Sequence, residues 1–181
     1  MTHNPQPSSD PIHPDFFATK DLVYSPNNFA CSYPVKEEES AEYGACVFRL
    51  NGFSIRFRVA KITPTKVGQF VTLWKRTGNG PIQPYDVEDP VDFFVVSTRD
   101  KNNFGQFVFP KSILCEQDIV SVNGKGGKRA IRVYPPWDNT TSRQAQKTQK
   151  WQLNYFLEIP SNTSIELDRV QLLYKPVVKQ F

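Results

Sequence analysis

Residues 53–76 read FSIRFRVAKITPTKVGQFVTLWKR, and their alternation sets the fold class. In the first half Ile55, Phe57 and Val59 share one face of a strand while Arg56, Arg58 and Ala60 share the other. In the second half Val71, Leu73 and Lys75 oppose Phe70, Thr72, Trp74 and Arg76. The two runs predict a basic β-hairpin with one apolar and one cationic face. Pro64 and Gly68 interrupt the ladder between them, and the Thr and Lys side chains and N–H groups of residues 61–68 suit an anion. The same pattern also describes a solvated strand face with a Pro-containing turn, because a half-exposed strand carries polar residues on one side in any case.

Outward from this stretch, residues 43–50 form another strand, turned into it by Asn51-Gly52, a strong short hairpin signal. Residues 92–97, 104–109, 120–122 and 130–134 are further strand candidates, in the order of an antiparallel meander. Helices are expected over 15–24, over 141–157 from a Thr141 or Ser142 cap, and over 164–173 from the cap Ser161-Asn-Thr-Ser164, with a short turn at 111–117. Residues 36–42 form a polar, acidic turn or short helical segment. The expectation is an α+β chain: a disordered tail over 1–12, then a single domain over 13–181 in which a mixed, mainly antiparallel sheet from 43–134 is flanked by helices.

The net charge of +4 hides a segregation. Residues 1–48 hold 2 basic against 7 acidic side chains, residues 49–152 hold 17 against 8, and the remainder balances. A cationic middle is an argument for a polyanion partner. No apolar stretch is long enough to span a membrane, and the first residues lack the pattern of a leader, so the expectation is a cytoplasmic chain with no membrane partner. Cys31, Cys46 and Cys115 are odd in number and widely spaced, which suits reduced thiols.

The strings AKITPTKVGQFVTLWKR, DFFVV, FGQFVFPKSIL, KRAIRVYPPWD and SRQAQKTQKWQLNYF, in this order across residues 39–156, resemble the MepB family of small bacterial proteins. One member of that family accompanies a multidrug efflux system and its repressor. The resemblance implies an α+β fold similar to the restriction-endonuclease-like class of nucleic-acid-handling proteins. A fold analogy leaves function to be argued from a site.

A nuclease of that class needs carboxylates for Mg²⁺ and a lysine beside them. Asp92 heads one strand, Lys111 follows the next and Glu42 is a further acid, but the positions two before Lys111 and Lys61 are Phe109 and Val59, so the acid-x-Lys triplet lacks its acid. Mg²⁺ therefore enters only with a nuclease; otherwise no cofactor is expected. Binding chemistry is better supplied. Arg56, Arg58, Lys61, Lys66, Lys75, Arg76, Lys111, Lys125, Lys128, Arg129, Arg132, Arg143 and Lys147 offer phosphate contacts, and Trp74, Tyr85, Tyr134 and Trp137 offer stacking faces. The loop Gly124-Lys-Gly-Gly-Lys-Arg129 lets amides approach phosphates but lacks the spacing of a P-loop. The two histidines, His3 and His13, lie in or beside the tail, and no nucleophile elbow, Cys-x-x-Cys or dinucleotide fingerprint is present. The reading is a binder of DNA or RNA backbone; the rivals are a metal-dependent nuclease, a protein-interaction module using the acidic N-terminal segment and exposed aromatics, and a small-molecule binder.

Overall fold

The computed structural model describes residues 11–178. The expected tail falls mostly outside them. The first helix, α1 (Pro14–Thr19), is capped by His13, whose Nδ1 accepts the Asp15 N–H, and continues through a π turn (Lys20–Tyr24) and a 3₁₀ turn (Ser25–Asn27). Then come β1 (Val35–Lys36), a 3₁₀ turn (Ala41–Tyr43), β2 (Cys46–Leu50) and β3 (Phe53–Val59). Asn51 and Gly52 both take positive φ, as the tight turn between β2 and β3 requires. The middle of the chain supplies β4 (Lys61–Ile62), β5 (Gln69–Thr72), β6 (Trp74–Arg76), β7 (Ile82–Pro84), β8 (Phe93–Asp100) and β9 (Asn103–Pro110). After α2 (Lys111–Glu116) follow β10 (Ala130–Val133), α3 (Arg143–Gln152), β11 (Phe156–Glu158), α4 (Leu167–Leu173) and α5 (Lys175–Val178).

The strands make a six-stranded sheet in the order β1-β2-β3-β8-β9-β11, a three-stranded sheet β10-β5-β4 and the ribbon β6-β7. The fold is α+β with a mainly antiparallel sheet; β3 and β8 run parallel, with Ile55 beside Phe93 and Val59 beside Ser97. This corrects the expected hairpin. β3 does not pair with β5 or β6, because β8 occupies its second edge, and the chain between them leaves the large sheet to build the two small ones. It also corrects the meander, since a parallel pair cannot be joined by a tight turn. The helix expected to run to residue 157 gives way to a 3₁₀ turn at Leu153 and then to β11, because Phe156 pairs with Phe107 at the sheet edge. Residues 120–122 contribute isolated bridges rather than a strand, and α4 starts after Glu166, with no side-chain cap from Ser161–Ser164.

Both faces of the large sheet are covered, which is why β8 and β9 read as nearly continuous apolar runs. On one face Phe48, Leu50, Ile55, Phe57, Phe93, Val95 and Val108 pack against α1, α4 and α5 through Phe16, Tyr24, Val170 and Tyr174. On the other, Phe94, Val96, Phe107 and Phe109 meet Val71, Ile131 and Val133 of the small sheet and Leu73 just after β5, with Leu114 and Trp151. Gly105 is needed where β9 passes β11, because a Cβ there would strike the Phe156 ring.

Candidate functional site

The cationic face of β3 points into the second of these layers. Glu37 follows β1, donates its N–H to Ala45 O, and lays its carboxylate between two arginines, Oε1 on Arg56 Nη1 and Oε2 on Arg58 Nη1. Arg58 is wholly buried and also donates to Phe57 O at 3.0 Å and to Tyr85 Oη at 3.4 Å. A buried guanidinium without an acid would be costly, so the acidic segment completes this strand rather than projecting from it. Asp89 takes Lys75 at 2.6 Å and Glu39 takes Arg76 at 3.0 Å. These charges surround a cleft of about 440 Å³ beside Tyr85 and Pro90. Arg58 is therefore not available to a phosphate in this structure, and Arg56, Lys75 and Arg76 reach one only by giving up a carboxylate.

Arg132 is pinned differently. Its guanidinium donates to Thr63 Oγ1 at 2.8 Å and to the carbonyls of Val67 and Gly68, and lies 5.9 Å over the Phe70 ring. It holds the β4–β5 turn in place, where Gly68 at positive φ lets Tyr134 approach so closely that a Cβ would lie 2.6 Å from its ring. Lys61 is exposed with its Nζ 4.8 Å from the Tyr43 ring, and Lys66 is exposed at the turn.

The remaining expected cations lie around α3. Lys125, Lys128, Arg129, Arg143 and Lys147 are all exposed and, among the described residues, have no carboxylate partner. In the glycine loop four of the amides are already taken: Gly124 N–H donates to Asp86 Oδ2 at 3.0 Å, Lys125 N–H to Val122 O at 3.1 Å, Gly127 N–H to Asp118 Oδ1 at 3.1 Å and Lys128 N–H to Ile119 O at 2.9 Å. Ser121 Oγ and the Glu88 N–H also donate to Asp86, and these hydrogen bonds hold its carboxyl down at about 2. What the loop offers a ligand is therefore its lysines.

Helix α3 is fixed by amide side chains rather than by apolar contacts alone. Gln152 Nε2 donates to Arg132 O and its Oε1 accepts the Tyr134 N–H, both at 2.9 Å. Gln149 Nε2 donates to Pro135 O and Asp138 O at 3.0 Å. Between β10 and α3 lies a cleft of about 320 Å³ with Lys128 at one wall and Gln144, Ala145 and Thr148 at the other. Sequence reasoning missed Glu37, Gln149 and Gln152. The separation of acidic and basic blocks was the available signal for the first; nothing in the periodicity marks the two glutamines as anchors, since a polar amide on a helix gives no sign of the carbonyls it will meet.

The nuclease candidates do not converge on one donor set. Asp92 Oδ2 accepts the Ser54 N–H at 2.8 Å, Lys111 Nζ donates to Val87 O and Asp89 O, and Glu42 is exposed beside a different cleft near His13. Among the described residues no group of three Asp, Glu, His or Cys side chains is placed to hold a metal ion. Of the stacking candidates, Tyr85 is buried against Phe94, Trp137 packs on Phe156 and Trp74 lies under Arg76, while Tyr134 lines the α3 cleft.

A sequence model of the family described as MepB-like matches residues 37–158. The chain belongs to the MepB family. A crystal structure of MepB is 33% identical and superposes with a TM-score of 0.70, covering 84% of this chain and 99% of that one. No curated protein matches. The matched region of this MepB-family chain begins at Glu37 and ends at Glu158, so it holds the acidic segment, all the strands from β2 onward and α3, and leaves out α1, α4 and α5. Cys31, Cys46 and Cys115 are free thiols, and no helix among the described residues is long and apolar enough to cross a membrane.

Proposed function

We propose that this MepB-family chain binds the backbone of DNA or RNA without cleaving it, through the glycine loop and the outer side of α3. The observation that carries this reading is the set of exposed cations that no acid among the described residues pairs: Lys125, Lys128 and Arg129 on the loop, and Arg143 and Lys147 one helical turn apart on α3. Lys150 extends the helical row by a further turn. Cations held by carboxylates gain little from a phosphate, whereas unpaired ones release condensed counterions from the polymer when they bind. The basic strand β3 thus drops out of the interface, and Lys61 and Lys66 remain as its outlying contacts.

The test is fluorescence anisotropy of labelled DNA and RNA oligonucleotides between about 50 and about 200 mM salt, where each lost phosphate contact lowers the log–log slope by about one. Arg143→Ala with Lys147→Ala is expected to weaken binding alike for all sequences and flatten the slope, while Arg76→Ala leaves it nearly unchanged. Affinity indifferent to salt, or no affinity at low salt, overturns the proposal.

A further inference from the structure

The strand β10 is the edge of the three-stranded sheet, and its free edge faces the α3 cleft. The register puts Ile131 opposite Val71 and Val133 opposite Gln69, and the Leu73 N–H donates to Arg129 O. Residues 129, 131 and 133 therefore direct their backbone groups toward β5, and the alternation of an antiparallel pair turns those of Ala130 and Arg132 outward. Gln152 confirms the direction, since its amide meets Arg132 O and the Tyr134 N–H and so caps one end of the edge as a neighbouring strand would. At the other end the Lys128 N–H donates to Ile119 O at 2.9 Å, and between these two caps the Ala130 N–H, the Ala130 carbonyl and the Arg132 N–H look into a cleft whose far wall is the small or short side chains of Ala145 and Thr148.

We propose that this cleft receives an extended, acidic peptide segment from a protein partner, added as a strand antiparallel or parallel to β10 between the sheet and α3. Main-chain pairing at a sheet edge supplies affinity, and pockets for alternate side chains supply choice. The donor–acceptor–donor order of the edge decides between ligand classes. A phosphodiester brings only acceptors and leaves the Ala130 carbonyl unanswered, whereas a peptide brings both N–H and C=O. Charge decides the partner's composition, because Lys128, which has no carboxylate partner among the described residues, lines the cleft and no acidic side chain among them does. The open stretch is short, so a segment of about three or four residues fills it at about 3.3 Å per residue. This site lies inside the cleft, whereas the nucleic-acid surface proposed above shares only Lys128 with it and otherwise lies outside it.

The experiment uses the full chain and a fluorescein-labelled peptide of alternating Glu and Val, with a second peptide of the same sequence methylated on alternate backbone nitrogens. The first is expected to bind, and the second at least tenfold more weakly, since it keeps the charge and loses the ladder. Ala145→Trp, which fills the cleft from the exposed helix, is expected to abolish peptide binding while leaving the salt-dependent affinity for an oligonucleotide in place. Equal affinity for the two peptides, or binding that survives Ala145→Trp, overturns the strand-addition proposal. Loss of oligonucleotide binding in the unaltered chain overturns the nucleic-acid reading and leaves the peptide result standing. If Ala145→Trp does not fold, Thr148→Phe on the same wall fills the cleft without adding charge and gives the same two readouts.

Discussion

Glu37 shows how much one side chain can decide. Its carboxylate serves two guanidinium groups, one of them with only 1% of its side chain exposed, so Glu37→Ala leaves buried positive charge without an acid. The expected loss is about 3–5 kcal/mol of unfolding free energy in urea titrations. Glu39→Ala, which frees an Arg76 pair that is more than a third exposed on both sides, is expected to cost under about 1 kcal/mol. Similar losses for the two would refute the division between a buried and a surface acid. Asp86 gives a pH prediction. Its carboxyl is lowered from 3.8 to about 2 by Ser121 and the amides of Gly124 and Glu88, so its contribution is complete above the ordinary value and disappears as pH falls through the folded one. Asp86→Asn is therefore expected to be less stable than the unaltered chain at about pH 5, with the gap closing toward about pH 2. A gap that is constant with pH would mean that the carboxylate's charge is not what holds the loop. At this scale the sequence was informative about residue type and poor about pairing: the alternation of Arg56 and Arg58 was readable, but which acid would meet them depends on how residues 36–46 return along β2.

Among the elements, the strands were the most legible, because period-two alternation and the Asn-Gly turn are local signals. Their neighbours were not. The exchange of β5 for β8 beside β3 is a choice made by the buried face of FFVV, and nothing within residues 53–76 encodes it. Helix α3 was visible in its cap and spacing, and its end was misplaced because Phe156 is claimed by the sheet. Two substitutions test how α3 is held. Ser142→Ala removes the bond that the Ala145 N–H donates to Ser142 Oγ and is expected to cost about 1 kcal/mol. Gln152→Ala leaves Arg132 O and the Tyr134 N–H unanswered and is expected to cost about 1–3 kcal/mol, more than the cap. The reverse order in thermal or urea melts would show that α3 is anchored at its start rather than through β10.

The molecule as a whole is a sheet with a different covering on each face. Trp137 and Trp151 pack against the layer formed by the small sheets and α3, whereas the helical layer on the other face is built of Phe, Tyr and aliphatic residues. Tryptophan fluorescence therefore reports one layer and far-ultraviolet circular dichroism both. Because β8 and β9 contribute alternate residues to the two cores, the two signals are expected to trace one coincident unfolding curve. Separate midpoints would show that the layers melt independently. Phe107, stacked on Phe109 and against Phe156, lies at the centre of the second core, and Phe107→Ala is expected to remove about 3–5 kcal/mol from that single transition.

The placing of Glu37 between Arg56 and Arg58 also has a consequence over generations. A lineage that loses the acid strands two cations, and one that loses the buried arginine leaves the acid with only the more exposed Arg56, so neither position is free to drift by itself. Across relatives the three sites should be inherited as a unit, changing together to an uncharged set or not at all, while Glu39 and Arg76 wander separately.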